Sequence, residues 1–184
     1  MKKRAFTIIE VVLVLAIAGL IFLMVFIALP ALQRSQRNTQ REDDLSRFLT
    51  AANDFQTNNN GKTPWQVGDA ANKKKTAKNF VKRYIDSDCT AETPDAQDNK
   101  CGAQFTDPDG EPYFFRPKGD VTDKEGDAKM YLSGEKDGEV NHAIVVYSYA
   151  SCGDEGRYVK GTGTRQYSLY YVLEGGAITC NDNH

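Results

Sequence analysis

Residues 5–32 read AFTIIEVVLVLAIAGLIFLMVFIALPAL, and this stretch decides how the rest of the chain is organised. From Val11 to Leu32 it runs for 22 residues without a charged side chain. That is longer than the roughly 20 apolar residues that a helix needs to cross a bilayer. The mean hydropathy of the whole chain is nonetheless -0.54, so the remaining residues are strongly polar. The sequence therefore predicts a membrane-spanning segment attached to a polar domain.

The composition excludes several classes of protein. A chain of 184 residues with 40% apolar and 26% charged residues suits one small folded domain plus the apolar segment. The 23 Lys and Arg residues nearly balance 25 Asp and Glu residues, so no basic footprint for wrapping duplex DNA is present. With 15 Gly and 6 Pro, the chain is neither collagen-like nor disordered in bulk.

The apolar segment differs from a cleavable signal peptide. Such a signal has an apolar region of roughly 7–15 residues followed by a small-x-small cleavage site, and residues 29–33 (LPALQ) offer no such site. Basic residues flank both ends of the segment, so the positive-inside rule leaves its orientation nearly undecided. All four cysteines lie in the polar part without a C-x-x-C pair, which favours disulfides outside the cytoplasm over a metal site. We therefore expect a cytoplasmic N-terminus and an exported chain beyond about residue 33.

Glu10 is the single carboxylate in the 27 residues from Phe6 to Leu32. An ionisable group inside an apolar span is a functional hypothesis by default. The alternative is a carboxylate near the membrane surface that reaches the lipid headgroups. The residues around Glu10 favour the functional interpretation.

The string from Lys2 to Leu20, KKRAFTIIEVVLVLAIAGL, closely resembles the N-terminus of type IV prepilins, which carry a class III leader peptide, and of the related pseudopilins. The shared motif is specific. It combines a short basic leader, a small residue, phenylalanine, a hydroxyl-bearing or small residue, two aliphatic residues and glutamate, followed by some twenty apolar residues. The resemblance covers about the first 30 residues as a motif, and beyond them it is architectural.

This resemblance implies that a membrane aspartyl prepilin peptidase cuts between Ala5 and Phe6 and methylates the new amino group of Phe6. Ala5 stands where the family usually has glycine. Two further positions are implied in assembly. Gly19 matches a glycine common in the apolar segment of the family, and Pro30 lies three residues after its usual helix-bending proline.

Glu10 gains a partner under this interpretation. Cleavage after Ala5 would create a positive amine at Phe6, about 6 Å along a helix axis from Glu10. If helices from many subunits pack side by side in a dry core, each Glu10 can meet the amine of a neighbour. A buried carboxylate without a partner costs several kcal/mol, so the pair would set the axial register between subunits.

After Leu32 the helical pattern becomes amphipathic. The apolar face predicted to pack on a sheet comprises Leu45, Phe48, Leu49, Ala52 and Phe55, and the opposite polar face comprises Arg41, Glu42, Asp43, Asp44 and Arg47. One long helix is therefore predicted from Phe6 to about Phe55, ended by residues 57–61 with Gly61 as its C-terminal cap. Residues 62–112 are expected to form a connector that contains a short amphipathic helix at residues 77–85.

Strands are predicted at residues 112–116, 129–132, 143–149, 158–160, 167–173 and 177–179. The predicted fold class is α+β. A long N-terminal helix, membrane-spanning in its first half and amphipathic in its second half, packs on a small antiparallel β-sheet meander, as in pilins.

The four cysteines allow three pairings. Spacing favours Cys89 with Cys101 and Cys152 with Cys180, and the second pair resembles the disulfide-bounded C-terminal region of many pilins. Four free thiols, buried as small apolar residues, are the alternative.

Residues 107–111 (DPDGE) are a strong turn signal that also invites a calcium interpretation. Asp107 and Asp109 are weak calcium candidates, because an EF-hand loop needs glycine and glutamate at two positions where this chain has Pro112 and Lys118. A plain turn is the preferred interpretation, and no other cofactor or metal is expected.

Catalysis is not expected, and no catalytic residue is assigned. The two histidines are His142 and the terminal His184, and His142 immediately precedes an apolar run typical of a strand. The sequence contains no Gly-rich phosphate loop, paired Cys ligands or dinucleotide fingerprint.

The sequence thus predicts a type IV pilin-like structural subunit, with residues 1–5 as leader peptide, 6–32 as transmembrane and assembly helix and 33–184 as exported globular domain. The precursor would be a single-pass protein of the inner or cytoplasmic membrane, and the mature form would be part of an extracellular helical homo-oligomeric filament. The implied partners are prepilin peptidase and a pilus or secretion assembly machinery. Strong nucleic-acid binding is not expected, because removal of the leader leaves 20 basic against 25 acidic side chains.

Two alternatives stay open at this point. One is a pseudopilin of a type II secretion or DNA-uptake machine. The other is a single-span membrane-anchored binding domain that does not polymerise.

Overall fold

The structure, a computed structural model, describes residues 6–67, 73–85, 105–121, 125–128 and 142–184. The chain divides into two compact units, Met1–Arg37 and Asn38–His184. The described secondary structure comprises helices α1 (Ile8–Asn58) and α2 (Lys73–Tyr84), strands β1 (Phe114–Asp120), β2 (Glu125–Asp127), β3 (Ala143–Ser148), β4 (Ala150–Cys152), β5 (Arg157–Lys160), β6 (Tyr167–Val172) and β7 (Ile178–Asp182), and a short 3-10 helix (Asp154–Gly156).

In the first unit, α1 is long and apolar enough to cross a membrane. Every residue from Phe6 to Gln36 is exposed except the half-buried Ala18. Pro30 lies inside α1, where it removes one backbone donor. The bend expected near Pro30 stays a prediction.

In the second unit, α1 ends inside the predicted run of polar residues. Asn60 has a left-handed φ of 56°, and Gly61, with φ of 79°, donates its N–H to the Gln56 carbonyl at 2.8 Å. This hydrogen bond is typical of a Schellman cap. Asn60 occupies the left-handed position that directly follows the helix, and Gly61 comes after it. The predicted end of the helix is confirmed, with the cap one residue earlier than expected.

The described strands of the second unit form two sheets. One is four-stranded in the order β1-β3-β6-β7, and the other is three-stranded in the order β2-β5-β4. All pairs are antiparallel except β1 with β3. The α+β fold class is confirmed. The strand order differs from a simple meander, because the chain passes through β2 of the other sheet between β1 and β3 and through β4 and β5 of that sheet between β3 and β6. The first of these crossovers brings β3 back in parallel to β1.

The amphipathic half of α1 packs on the four-stranded sheet, as predicted. The main core cluster joins helix residues to alternate residues of β3 and β6, and includes Leu45, Phe48, Ala52, Phe55, Ile144, Val146, Leu169 and Tyr171. A second cluster, around Val145, Tyr147 and Tyr170, covers the opposite face. Strand β3 is buried along its whole length because both faces of its sheet are covered.

Most predicted elements of the second unit are present. Helix α2 begins four residues before its predicted start, and Phe80 packs edge-on to Phe48 with ring centroids 5.5 Å apart. Strand β1 extends to Asp120, and its proline, Pro117, lies in an edge strand, where a missing backbone donor is tolerated. Strands β2 and β4 were not predicted, because each is three residues long and neither has a clear alternating pattern. The strand predicted at residues 129–132 lies outside the described residues.

Candidate functional site

The first turn of α1 is held by a reciprocal pair of contacts between Thr7 and Glu10. The Glu10 Oε2 atom accepts hydrogen bonds from the Thr7 backbone N–H at 2.8 Å and from the Thr7 hydroxyl at 2.9 Å. The backbone N–H of Glu10 donates to Thr7 Oγ1 at 3.3 Å. This arrangement is a capping box, and its signal, Thr7-x-x-Glu10, is readable in the sequence. Glu10 therefore has a role within its own chain that the sequence analysis missed.

The other assembly positions lie along the same helix. A Cβ atom added at Gly19 would meet no atom within 4 Å. Phe6, the residue expected to carry the new amine, is 86% exposed. Ala5 lies outside the described residues. Across the part of the chain that the structure describes, Gly19 therefore has no packing partner.

Arg41 is the centre of a buried ionic network in the second unit. Its Nε and Nη2 atoms donate to the two oxygens of Asp107 at 2.7 Å and 2.6 Å, which is the bidentate geometry of the strongest arginine–carboxylate pairs. Its Nη1 donates to Glu174 Oε1 at 2.9 Å. The side chains of Arg41 and Asp107 are both 0% exposed. The network joins α1 to the turn before β1 and to the loop after β6.

Two tyrosines complete the network. The Tyr171 hydroxyl donates to Asp107 Oδ2 at 2.6 Å, and the Tyr113 hydroxyl donates to Asp44 Oδ2 at 3.0 Å. Burial raises the pKa of both hydroxyls well above its usual range, so both remain protonated donors. Each carboxylate thus accepts a hydrogen bond from a buried phenol.

The pKa values of the two buried carboxylates, Asp107 and Asp44, are shifted in opposite directions. Burial alone would raise the pKa of Asp107, but hydrogen bonds from Arg41 and Tyr171 outweigh it and hold the pKa below its ordinary value. Burial raises the pKa of Asp44, and its bonds to Tyr113 and Arg47 do not fully offset this effect. The pKa of Arg41 lies above its ordinary value because its pairing with the carboxylates outweighs desolvation. Arg41 and Asp107 are therefore a charged pair at neutral pH.

The helical pattern predicts that Arg41 and Asp44 lie on the polar face of α1, opposite the face that packs on the sheet, and for these two residues the prediction of a separate polar face is wrong. Arg41 is 1% exposed and Asp44 is 6% exposed. The helical pattern around them identifies polar residues but cannot identify their partners, since Asp107 lies 66 residues and Glu174 lies 133 residues further along the chain. The charge of Arg41 is compensated mainly by those two distant carboxylates, and Asp44 accepts from the likewise distant Tyr113 and from Arg47 on its own helix.

The turn predicted at residues 107–110 is present. The Gly110 N–H donates to the Asp107 carbonyl at 2.8 Å, and Gly110 has a φ of 97°. The Asp109 N–H donates to Asp107 Oδ1 at 3.1 Å, and His142, which immediately precedes β3 as predicted, places its Nε2 2.7 Å from Asp109 Oδ2. These hydrogen bonds within the turn, together with its Asp and Gly residues, are sufficient to explain the turn without a metal.

The two calcium candidates, Asp107 and Asp109, lie close to His142. Each of the three residues could offer a ligand atom within 4.8 Å of the others. Both oxygens of Asp107 are already paired with Arg41, and the Nη2 atom of Arg41 lies 3.8 Å from Asp109 Oδ2. A cation bound here would have to displace a buried guanidinium. These residues fit an ion pair better than the oxygen cage that calcium requires.

The predicted disulfide between Cys152 and Cys180 is present, with Cα atoms 5.9 Å apart. It links β4 of the three-stranded sheet to β7 of the four-stranded sheet. Cys89 and Cys101 lie outside the described residues, so their pairing stays a prediction.

Non-reducing peptide mapping of protein from the cell surface should recover Cys152 linked to Cys180 and Cys89 linked to Cys101. Replacing Cys152 and Cys180 together by serine should lower the free energy of unfolding by roughly 3–4 kcal/mol, because the disulfide closes a separation of 28 residues. Urea denaturation measures this loss. Four alkylatable thiols would contradict export, and crossed linkages would contradict the pairing.

Comparisons of the chain with protein-family models, curated proteins and solved structures found no match.

Proposed function

We propose that this chain is a type IV pilin-like structural subunit. It is made as a membrane-anchored precursor with a cytoplasmic N-terminus, cut between Ala5 and Phe6, and assembled into an extracellular helical filament through the first part of α1. Its mechanism is packing between subunits rather than catalysis. The prepilin motif at residues 2–20 is the basis for the family assignment.

The observation that carries the proposal is the exposed apolar surface of the first unit. From Phe6 to Leu32, 19 large apolar side chains are exposed, and Glu10 is the sole charged residue among them. At roughly 1.5–3 kcal/mol for each buried side chain, leaving this surface in water would cost tens of kcal/mol. The helix therefore needs either a bilayer or the helices of other subunits around it, and a pilin uses both in turn.

Gly19 favours packing against other helices over a simple lipid anchor. Glycine inside a helix costs about 1 kcal/mol relative to alanine, and no described residue of the chain occupies the space beside Gly19. Small residues in apolar helices allow another helix to approach closely. A second copy of α1 is the neighbour that a homo-oligomer would supply.

The mature chain should begin at N-methylated Phe6. The reason is the resemblance of residues 5–10 to a prepilin peptidase site, and intact mass or N-terminal sequencing of native protein checks it. As a control, Ala5→Gly restores the residue usual in the family and should be processed at least as completely. Recovery of a chain that starts at Met1 or Lys2, from cells that possess the peptidase, would remove the main support for the proposal.

Electron microscopy of cells with and without this chain tests the filament itself. Surface filaments that are labelled by antibodies against the second unit, and are absent from the deletion strain, are the expected result. A labelled stub confined to the cell envelope would favour the pseudopilin alternative. Label spread over the membrane without any filament would favour the anchored binding domain.

A further inference from the structure

A cleft of about 470 Å³ lies in the second unit, between the end of α1, the turn after β3 and the loop before β6. The side chains that line it are all polar, and they are Asn60, Lys62, Gln66, Tyr149, Thr164 and Arg165. Two of them carry a positive charge and none carries a negative charge. A concave surface with charge of one sign concentrates its field on the space inside it.

The two cations of the cleft are available to a ligand. Within the described ranges, neither Lys62 nor Arg165 lies within ion-pair distance of a carboxylate. By contrast, Arg41 in the same unit is paired with three carboxylates. Among the described residues, an anion entering the cleft would therefore meet no carboxylate that it has to displace from either cation.

The backbone at Arg165 is held in place by side chains from two other parts of the chain. Its backbone carbonyl accepts hydrogen bonds from Gln56 Nε2 at 2.9 Å and from Asn183 Nδ2 at 3.0 Å. Its guanidinium lies directly over Gly61, where a Cβ atom would overlap Nε and Cζ of the arginine. The absence of a side chain at Gly61 thus makes room for the guanidinium at the edge of the cleft.

Tyr149 forms another wall of the cleft in a strained conformation. Its φ of 57° is left-handed, which is a genuine outlier for a bulky residue. Two hydrogen bonds of 2.7 Å hold it there, from the Tyr149 N–H to the Gln166 carbonyl and from the Gly161 N–H to the Tyr149 carbonyl. Strain of this kind concentrates at ligand sites, where the surrounding structure determines it.

We propose that this cleft binds an acidic sugar. The carboxylate of the sugar pairs with Lys62 and Arg165, its hydroxyls bond to the amide and hydroxyl groups of the lining, and Tyr149 offers an aromatic ring beside them. The volume is in the range of small-molecule sites, but the lining lacks the apolar side chains that most such sites have, which favours a polyhydroxylated ligand. A nucleic acid is disfavoured, because one aromatic ring provides no stacking platform for successive bases and the chain has a net charge of -2. The proposal does not depend on whether the chain polymerises.

Isothermal titration of the full chain in detergent micelles tests this assignment. The probe is an oligosaccharide of alternating glucuronate and N-acetylglucosamine, and its control is the same oligosaccharide with the carboxylates reduced to alcohols. We expect saturable binding of the acidic form and at least tenfold weaker binding of the reduced form. Affinity should also fall as the salt concentration rises, because the contacts are charged.

Matched variants locate the site. The double variant Lys62→Gln with Arg165→Gln should bind at least tenfold more weakly, while Lys82→Gln with Arg157→Gln, which removes the same charge from exposed positions outside the cleft, should bind as the wild type does. Tyr149→Asn keeps a residue that tolerates the left-handed conformation and should also weaken binding. Thermal unfolding of each variant checks that the fold is retained.

Several outcomes would overturn the proposal. They are absence of saturable binding, equal binding of the reduced oligosaccharide, and equal losses in the cleft and control variants. Comparable affinity for inorganic phosphate or for single-stranded DNA would also overturn it, because it would identify a general anion or nucleic-acid site instead.

Discussion

Replacing Glu10 by leucine should abolish filament formation while leaving the second unit folded. In the proposed filament, the Phe6 amine of a neighbouring subunit would enter an apolar core without its counter-charge, at an estimated cost of about 3–5 kcal/mol for each broken pair. A pure membrane anchor should tolerate the change or insert more easily, because an ionisable group leaves the hydrocarbon. A filament subunit should therefore be inactivated by Glu10→Leu, whereas a membrane anchor should not.

The capping box makes it necessary to separate the charge of Glu10 from its hydrogen bonds to Thr7. Glu10→Gln keeps an oxygen that can accept from the Thr7 N–H and hydroxyl but removes the charge, so it should fail to assemble as Glu10→Leu does. Thr7→Ala removes the cap and keeps the charge, at a cost of about 1 kcal/mol to the first turn, and should still assemble. Filament yield is measured by electron microscopy and by immunoblots of sheared surface material, with processing confirmed by mass. A normal yield from Glu10→Leu would mean that Glu10 does not set the register between subunits.

Replacing Arg41 by alanine should lower the free energy of unfolding of the second unit by about 3–5 kcal/mol. The substitution leaves Asp107 fully buried without a counter-charge and removes the guanidinium from Glu174. Urea denaturation followed by Trp65 fluorescence measures the loss, because Trp65 is the single tryptophan and packs in the main core.

Arg47→Ala is the matched control on the same helix. The Arg47 side chain is 55% exposed and contacts Asp44 three residues away at 3.2 Å, so its loss should cost at most about 1 kcal/mol. Arg41→Lys keeps the charge but cannot form the bidentate pair, and should lie between the two. Equal losses in Arg41→Ala and Arg47→Ala would contradict a buried ionic network.

The stability gap between wild type and Arg41→Ala should depend on pH. Pairing holds the pKa of Asp107 below its ordinary value in the wild type, whereas burial without Arg41 would raise it. The difference in the free energy of unfolding should therefore be largest at neutral pH. It should narrow as the pH falls, first through the raised pKa of Asp107 in the variant and then towards the lowered pKa of Asp107 in the wild type. A gap independent of pH would indicate that packing of the Arg41 side chain, rather than its charge, stabilises this region.

Local patterns in the sequence were sufficient for the elements whose causes are local. The apolar run from Val11 to Leu32 predicts a helix long enough to span a membrane, the spacing of Leu45, Phe48 and Phe55 predicts the face that packs on the sheet, and residues 107–110 predict a turn. These features depend on neighbours within a few residues, through helical periodicity and turn geometry. The α+β class followed from the same patterns.

The tertiary structure decided which polar residues are buried and which elements meet. The burial of Arg41 depends on Asp107 and Glu174, which only the fold brings to it, and the parallel pairing of β1 with β3 depends on the path of the chain through a second sheet. The same is true of the cleft, where Arg165 is placed over Gly61 and Tyr149 adopts a left-handed conformation. Each of these features depends on groups far apart in sequence, and periodicity carries no information about such pairs because they do not lie on one helix or strand.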